Sequence, residues 1–158
     1  MDYSNSVLAS APKTITDELQ RVLNAAARLI CTNKYDRGLS ALLHDELHWL
    51  DIPQRVQYKL AVTVHRCLQN QALTYLTDYC VPVSDIAGRR QLRSASCHQL
   101  TVPCVCCRIF GCCSFTSAGP TVWNSLPNLR NPAVGPDQFR RSLKSTCLPV
   151  VSVLLTVH

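Results

Sequence analysis

Apolar positions recur at helical spacing through the first half of the chain. Ile15, Leu19, Val22, Leu23, Ala26, Leu29 and Ile30 fall at i, i+4, i+7, i+8, i+11, i+14 and i+15. One stripe with a 3.6-residue period predicts a helix over Thr14–Ile30. Thr14 stands as its cap, with Asp17 at the positive end of the dipole. Arg21 and Arg28 lie off the stripe, and polar residues 32–38 end the helix. Leu39, Leu42, Leu43, Leu47 and Leu50 repeat the pattern, as do Val56, Leu60, Val64 and Leu68 with Ala61 and Cys67 beside them. These two runs meet at Trp49-Leu50-Asp51-Ile52-Pro53 and predict a helical hairpin. Asp51 caps the second arm, and Pro53 sits in the first turn, where a missing N–H costs nothing. Trp49 is the expected plug between the arms, and the first helix and the hairpin are expected to bury their stripes together.

Beyond Tyr79 the period is lost. Leu73–Tyr79 can form one further helical turn, and 85–96 reads as an exposed basic loop carrying Arg89, Arg90 and Arg93. Leu100–Val105 and Cys112–Ser117 alternate loosely around Gly111, which predicts two short strands in a hairpin. A short helix is expected to open at Ala118-Gly119-Pro120, run through Trp123 and Leu126, and stop at Pro127. Asp137–Cys147 predicts a last helix, with Phe139 and Leu143 inward and Arg140, Arg141 and Lys144 outward. The expected fold is therefore mainly α: an N-terminal helix plus a helical hairpin over residues 1–80, then a basic loop, β-hairpin and small C-terminal helices over 81–148, then an apolar tail over 149–158.

Composition narrows the function classes. The 158 residues suffice for one modest core. Charged residues make up only 16%, and the net charge of +6 permits a polyanionic partner without demanding one, since no basic run exceeds Arg89-Arg90 or Arg140-Arg141. Residues 1–4 lack the basic start and apolar core of a secretory signal, so an intracellular setting, cytoplasm or nucleus, is expected. The apolar tail Pro149–Val157 has nine residues, short of the roughly 20 a membrane span needs. Ten cysteines without a signal argue against a disulfide scaffold.

Candidate chemistry is sparse. His44 and His48 stand at i, i+4 with Asp45 between them, the ligand spacing of a zinc-protease helix. Aspartate is one methylene short of the usual glutamate base, and no third ligand follows. Two partly exposed histidines beside a leucine stripe are the favoured reading. Cys104, Cys106, Cys107, Cys112 and Cys113 crowd together, but zinc ligands are usually spaced Cys-x2–4-Cys at two places, and adjacent doublets aim their side chains apart. His65 and Cys67 read as helix-face residues rather than a nucleophilic dyad. The five glycines are scattered, so no phosphate loop is present. Asp17-Glu18 and Asp45-Glu46 read as solvated helix faces. No cofactor, metal site or catalytic residue is expected.

Several segments together carry a resemblance: Asp2-Tyr3-Ser4-Asn5-Ser6-Val7-Leu8, Leu19 to Arg28, Leu47-His48-Trp49-Leu50, Arg55-Val56-Gln57-Tyr58-Lys59-Leu60, Leu92-Arg93-Ser94-Ala95, Gly119-Pro120-Thr121-Val122-Trp123-Asn124-Ser125-Leu126-Pro127 and Phe139-Arg140-Arg141-Ser142-Leu143-Lys144. In order and spacing, over residues 2–147, they resemble the region downstream of the reverse-transcriptase palm in LINE-type, non-LTR retrotransposon polyproteins. The family's catalytic Tyr/Phe-Ala-Asp-Asp motif has no counterpart here. The resemblance implies a thumb and post-thumb segment cut away from its palm, with no polymerase activity of its own and no small-molecule substrate or membrane to act on. Its native packing partner would be the missing palm. Any residual contact with nucleic acid would be weak, non-specific and salt-sensitive, through Arg89, Arg90, Arg93, Arg140, Arg141 and Lys144.

The resemblance also implies an origin for the cysteines. Relatives usually carry arginine where Cys97, Cys104, Cys106, Cys112 and Cys113 stand, and Arg to Cys is the one-base decay of a methylated CpG codon. Restoring five arginines would raise the net charge from +6 to +11. Ser4 stands where relatives tend to carry Cys, and the chain departs from the pattern after Leu148, as a frameshift or new stop would produce. Two other classes remain open: a small metal-binding interaction module built on the cysteine cluster, and a protein–protein adaptor using a helical face left bare by the palm.

Overall fold

The computed structural model describes residues 4–9, 11–30, 43–44, 47–88, 97–103 and 114–147. These residues are mainly helical: α1 (Ser4–Ala9), α2 (Lys13–Ile30), α3 (Ile52–Leu68), α4 (Thr74–Thr77), α5 (Phe115–Asn124) and α6 (Pro136–Cys147), with 3-10 turns at Val83–Asp85 and Pro127–Leu129. Among the described residues no helix is long and apolar enough to cross a membrane.

α3 is the central element. Val56, Leu60, Ala61, Val64 and Cys67 follow the 3.6 period and are all buried. Pro53 lies in the first turn after Asp51, and the Gln54 side chain returns to accept the Asp51 N–H at 3.2 Å. One apolar cluster joins α3 to Leu76 and Cys80, to Leu100, to Phe115 and Trp123 of α5, and to Phe139 and Leu143 of α6. The large plug is Trp123, wholly buried, rather than Trp49. Trp49 is half-buried in a smaller cluster with Ala27 and Leu43. The Trp123 indole N–H donates to the His98 carbonyl at 2.9 Å, so its one polar atom is satisfied inside the core.

His65 is the polar member of this core. It is 1% exposed and stacks on the Phe139 ring at 4.1 Å, with Trp123 tilted 6.3 Å away. Its Nε2–H donates to the Val134 carbonyl at 3.0 Å, and Gln69 one turn later donates to the same carbonyl at 3.1 Å and to Pro132 at 3.3 Å. Burial pushes the imidazole below its ordinary value of 6.5, the Val134 bond opposes this, and the nearby Arg140 charge adds to the lowering.

Four expectations need correcting. First, α2 starts at Lys13, and the Pro12 carbonyl accepts its first bond, from Ile15 N–H at 3.0 Å, so Thr14 is not its cap. Second, the α2 stripe is not buried against the hairpin: Ile15, Leu19, Val22, Leu29 and Ile30 are exposed, and Ala27 is the buried residue. A polar tie sets this rotation. The Gln20 carboxamide donates to Asp51 Oδ1 at 3.0 Å and accepts the Ile52 N–H at 2.9 Å, which turns the Gln20 face, not the leucine stripe, toward α3.

Third, the first hairpin arm is not helical to its end. Leu43 and His44 lie in a π-type turn, His48 adopts φ +51°, and Trp49 N–H closes on the Leu43 carbonyl at 2.8 Å. Residues 39–42, which would begin that arm, lie outside the described residues. Fourth, Phe115–Ser117, placed in the second strand, open α5 three residues before the expected start, with Ser114 at the N-cap position. Phe115, Ala118, Gly119, Val122 and Trp123 fit a helical period better than a strand one. Leu100 pairs instead with Pro82 as an antiparallel bridge, flanked by Val83 N–H to Gln99 at 2.9 Å and Thr101 N–H to Val81 at 2.9 Å. The remainder of the expected hairpin, residues 104–113, lies outside the described residues.

Trp123→Ala should lower unfolding free energy by about 3–5 kcal/mol, because it empties the largest buried volume and orphans the His98 carbonyl; urea denaturation measures it. Acid should destabilise the fold through His65. Above pH 6.5 the ring is neutral folded or unfolded. Below it the unfolded chain takes the proton first, so stability falls until the folded state also protonates. Denaturation midpoints of the wild type should therefore drop more steeply between about pH 7 and 5 than those of His65→Gln.

Candidate nucleic-acid interface

α3 presents a second period on its outer side. Arg55, Lys59, Val62 and Arg66 recur at i, i+4, i+7 and i+11, which sets three cations on one face of the helix that carries the core on the other. α6 docks alongside because Phe139 and Leu143, four residues apart, are both buried at 1% exposure. The docking rotation brings Arg140 to the α3 face. Tyr58, Lys59, Val62, Thr63, Arg66 and Arg140 line a cleft of about 260 Å3. Three cations and a phenol around one opening form a site for an anion, with an aromatic face beside it.

Of the residues expected to contact nucleic acid, Arg140 lies in this cleft and reaches Asp137, one turn back, at 3.6 Å. Lys144, at i+4 from Arg140, is half-buried on the same flank of α6, and Arg141 is exposed on the outer side. Arg89, Arg90 and Arg93 lie outside the described residues. Lys59 and Arg66 are not among the expected contacts, although the sequence carries their signal as a charged stripe opposite the apolar stripe of α3.

The other candidate chemistry resolves into structural roles. His44 is 7% exposed; its Nδ1 is 2.9 Å from the Trp49 carbonyl and its Nε2 3.4 Å from Asp51 Oδ2. His48 is exposed, with Nδ1 3.1 Å from the His44 carbonyl. Leu43 and His44 lie in a π-type turn and His48 has φ +51°, so the two histidines do not share one helix face. Cys67 and Cys80 are buried free thiols in mutual hydrogen-bond contact, and that bond together with burial pushes Cys80 well above the usual thiol range. Neither is placed as a nucleophile. Burial likewise raises Cys147, and Cys97 is exposed. The clustered cysteines 104–113 lie outside the described residues, and among the described residues no three His, Cys, Asp or Glu gather around a possible metal position.

No family model, curated protein or solved structure matches the chain.

The cleft residues should be separable from the fold. Arg140→Gln removes a partly exposed side chain whose i, i+3 pair with Asp137 contributes about 0.3–0.5 kcal/mol at most. Its urea midpoint should stay close to wild type, while the thermal stabilisation that sulfate gives the wild type shrinks, as differential scanning fluorimetry reads directly.

Proposed function

We propose that this chain is the thumb and post-thumb segment of a LINE-type reverse transcriptase without its palm, and that its own remaining activity is weak, sequence-independent contact with a nucleic-acid backbone. The observation that carries the reading is the meeting of Lys59, Arg66 and Arg140 with Tyr58 at one cleft. Cations from two helices line that one opening, where they can hold a phosphate backbone without reading bases. The ordered resemblance across residues 2–147 is what suggests the family, and two of its segments, Arg55 to Leu60 and Phe139 to Lys144, lie on the helices that form the cleft.

In this reading the chain performs no nucleotide chemistry, takes no cofactor and requires the palm as its packing partner for polymerase work. An intracellular setting is part of the same proposal.

Fluorescence anisotropy with a labelled RNA–DNA hybrid tests the proposal. Three phosphate contacts give a log–log salt slope of about −3, a loss of about 40-fold in affinity between about 50 and 200 mM salt. The Lys59→Gln, Arg66→Gln, Arg140→Gln triple variant should lose both the affinity and the slope. A flat salt response of the wild type, or an unchanged slope in the triple variant, overturns it.

A further inference from the structure

The end of α3 turns the chain back on itself. Asn70 adopts φ +55°, its N–H donates to the Cys67 carbonyl at 3.0 Å, and the Gln71 N–H reaches the Arg66 carbonyl at 2.9 Å. These bonds satisfy the last carbonyls of the helix while the left-handed residue reverses the chain. The single turn α4 follows, and Leu76 enters the core. The Cys80 N–H then closes on the Thr77 carbonyl at 2.9 Å. Cys80 thereby arrives beside Cys67, and the two side chains meet in hydrogen-bond contact. Both belong to the main apolar cluster, Cys67 at 1% exposure and Cys80 at 5%. Both are free thiols.

We propose that Cys67 and Cys80 form a modification site for small peroxides, which join the pair as a disulfide. Burial selects the oxidant. Two sulfurs this enclosed are closed to a substrate of any size and to a bulky disulfide such as oxidised glutathione, whereas hydrogen peroxide is little larger than water. The chemistry balances in two steps. The Cys67 sulfur attacks one peroxide oxygen: an S–O bond forms, the O–O bond breaks, and the thiol proton leaves with the departing hydroxyl as water. The Cys80 sulfur then attacks the Cys67 sulfur: the S–S bond forms, the S–O bond breaks, and the Cys80 proton leaves with that hydroxyl as a second water. The pair gives up two electrons and the peroxide takes them. The contact sets the order. The Cys80 S–H donates to the Cys67 sulfur, which favours negative charge on Cys67 and holds Cys80 protonated until Cys67 has reacted. The bond would fasten α3 to the segment directly after Cys80, where Val81 and Val83 pair with Thr101 and Gln99. The site stands apart from the nucleic-acid cleft and does not rest on that reading.

Trypsin reads the site in the full chain, because Arg66 and Arg89 bracket one peptide whose only cysteines are Cys67 and Cys80. The folded chain is treated with hydrogen peroxide, then denatured in N-ethylmaleimide and digested. The Cys67–Arg89 peptide should be lighter by two hydrogens and carry no maleimide, and dithiothreitol before the blocking step should restore both alkylated cysteines. Oxidised glutathione at the same concentration should add to the exposed Cys97 and leave the pair open to maleimide. Closing the loop should raise the wild-type Tm by about 5 °C and slow hydrogen exchange at the Val83 and Thr101 amides. Cys67→Ser taken through the same treatment should show neither change. Should that variant fail to fold, the wild-type peptide still decides. A peptide that stays doubly alkylated, a Cys67 that runs on to the sulfinic acid, or either cysteine bonded elsewhere overturns the proposal. So does a pair that glutathione disulfide oxidises as readily as peroxide, or a disulfide that leaves Tm unchanged or lowers it.

Discussion

The Val134 carbonyl is the point on which the packing turns. It sits in the connection ahead of α6, faces the core, and must find donors there, because an unpaired buried carbonyl costs as much as a lost side-chain contact. α3 supplies two donors one turn apart, His65 and Gln69. Placing His65 there forces a polar ring among buried apolar side chains, and Phe139 answers by stacking on it at 4.1 Å with the planes 9° apart. That stack fixes the rotation of α6 on α3. The same rotation that buries Phe139 and Leu143 carries Arg140 to Lys59 and Arg66. The cleft is thus a by-product of how the core satisfies one carbonyl, and Arg140 in turn helps to keep the ring beneath it neutral.

Much of the main helix could be read from the chain. Val56, Leu60, Ala61, Val64 and Cys67 were legible because one helix buries one face and period alone identifies it. Phe139 and Leu143 were legible for the same reason. What period cannot supply is the neighbour each face turns to. The α2 stripe has the clearest period of all, yet a single glutamine binding Asp51 and Ile52 rotates it outward. Trp49 and Trp123 are equally large, and only the available partners decide between them: Trp123 finds the His98 carbonyl and two rings. Phe115 to Ser117 alternate like a strand when taken with the cysteines before them, but their apolar residues continue at helical spacing through Trp123. Adjacent arginines do not reveal Lys59 and Arg66, because a helix gathers charges that lie three, four or seven residues apart.

The two apolar clusters are held by different means. Around α3, α5 and α6 large side chains interlock, and Gly119 lets the helices approach until an added Cβ would stand 3.1 Å from both Val64 and the Phe115 ring. α2 is held chiefly by hydrogen bonds from Gln20 and by Ala27, Leu23 and Leu43. Polar ties of this kind fix orientation closely but contribute about 1 kcal/mol each. Opening of α2 should therefore require less free energy than loss of the core it leans on.

Asn124 closes the account of the segment around Leu100. Its carboxamide takes the Leu100 N–H at 2.9 Å and donates to the Leu100 carbonyl at 2.8 Å, so one side chain stands in for a neighbouring strand. Both halves of the amide are used, and no other residue offers that pair at that length: aspartate lacks the donor, and glutamine is a methylene too long. A carboxylate in place of that amide would set an anion against the Leu100 carbonyl, so the hold on residues 99–101 rests on the neutrality of one side chain in the wall beside the tryptophan.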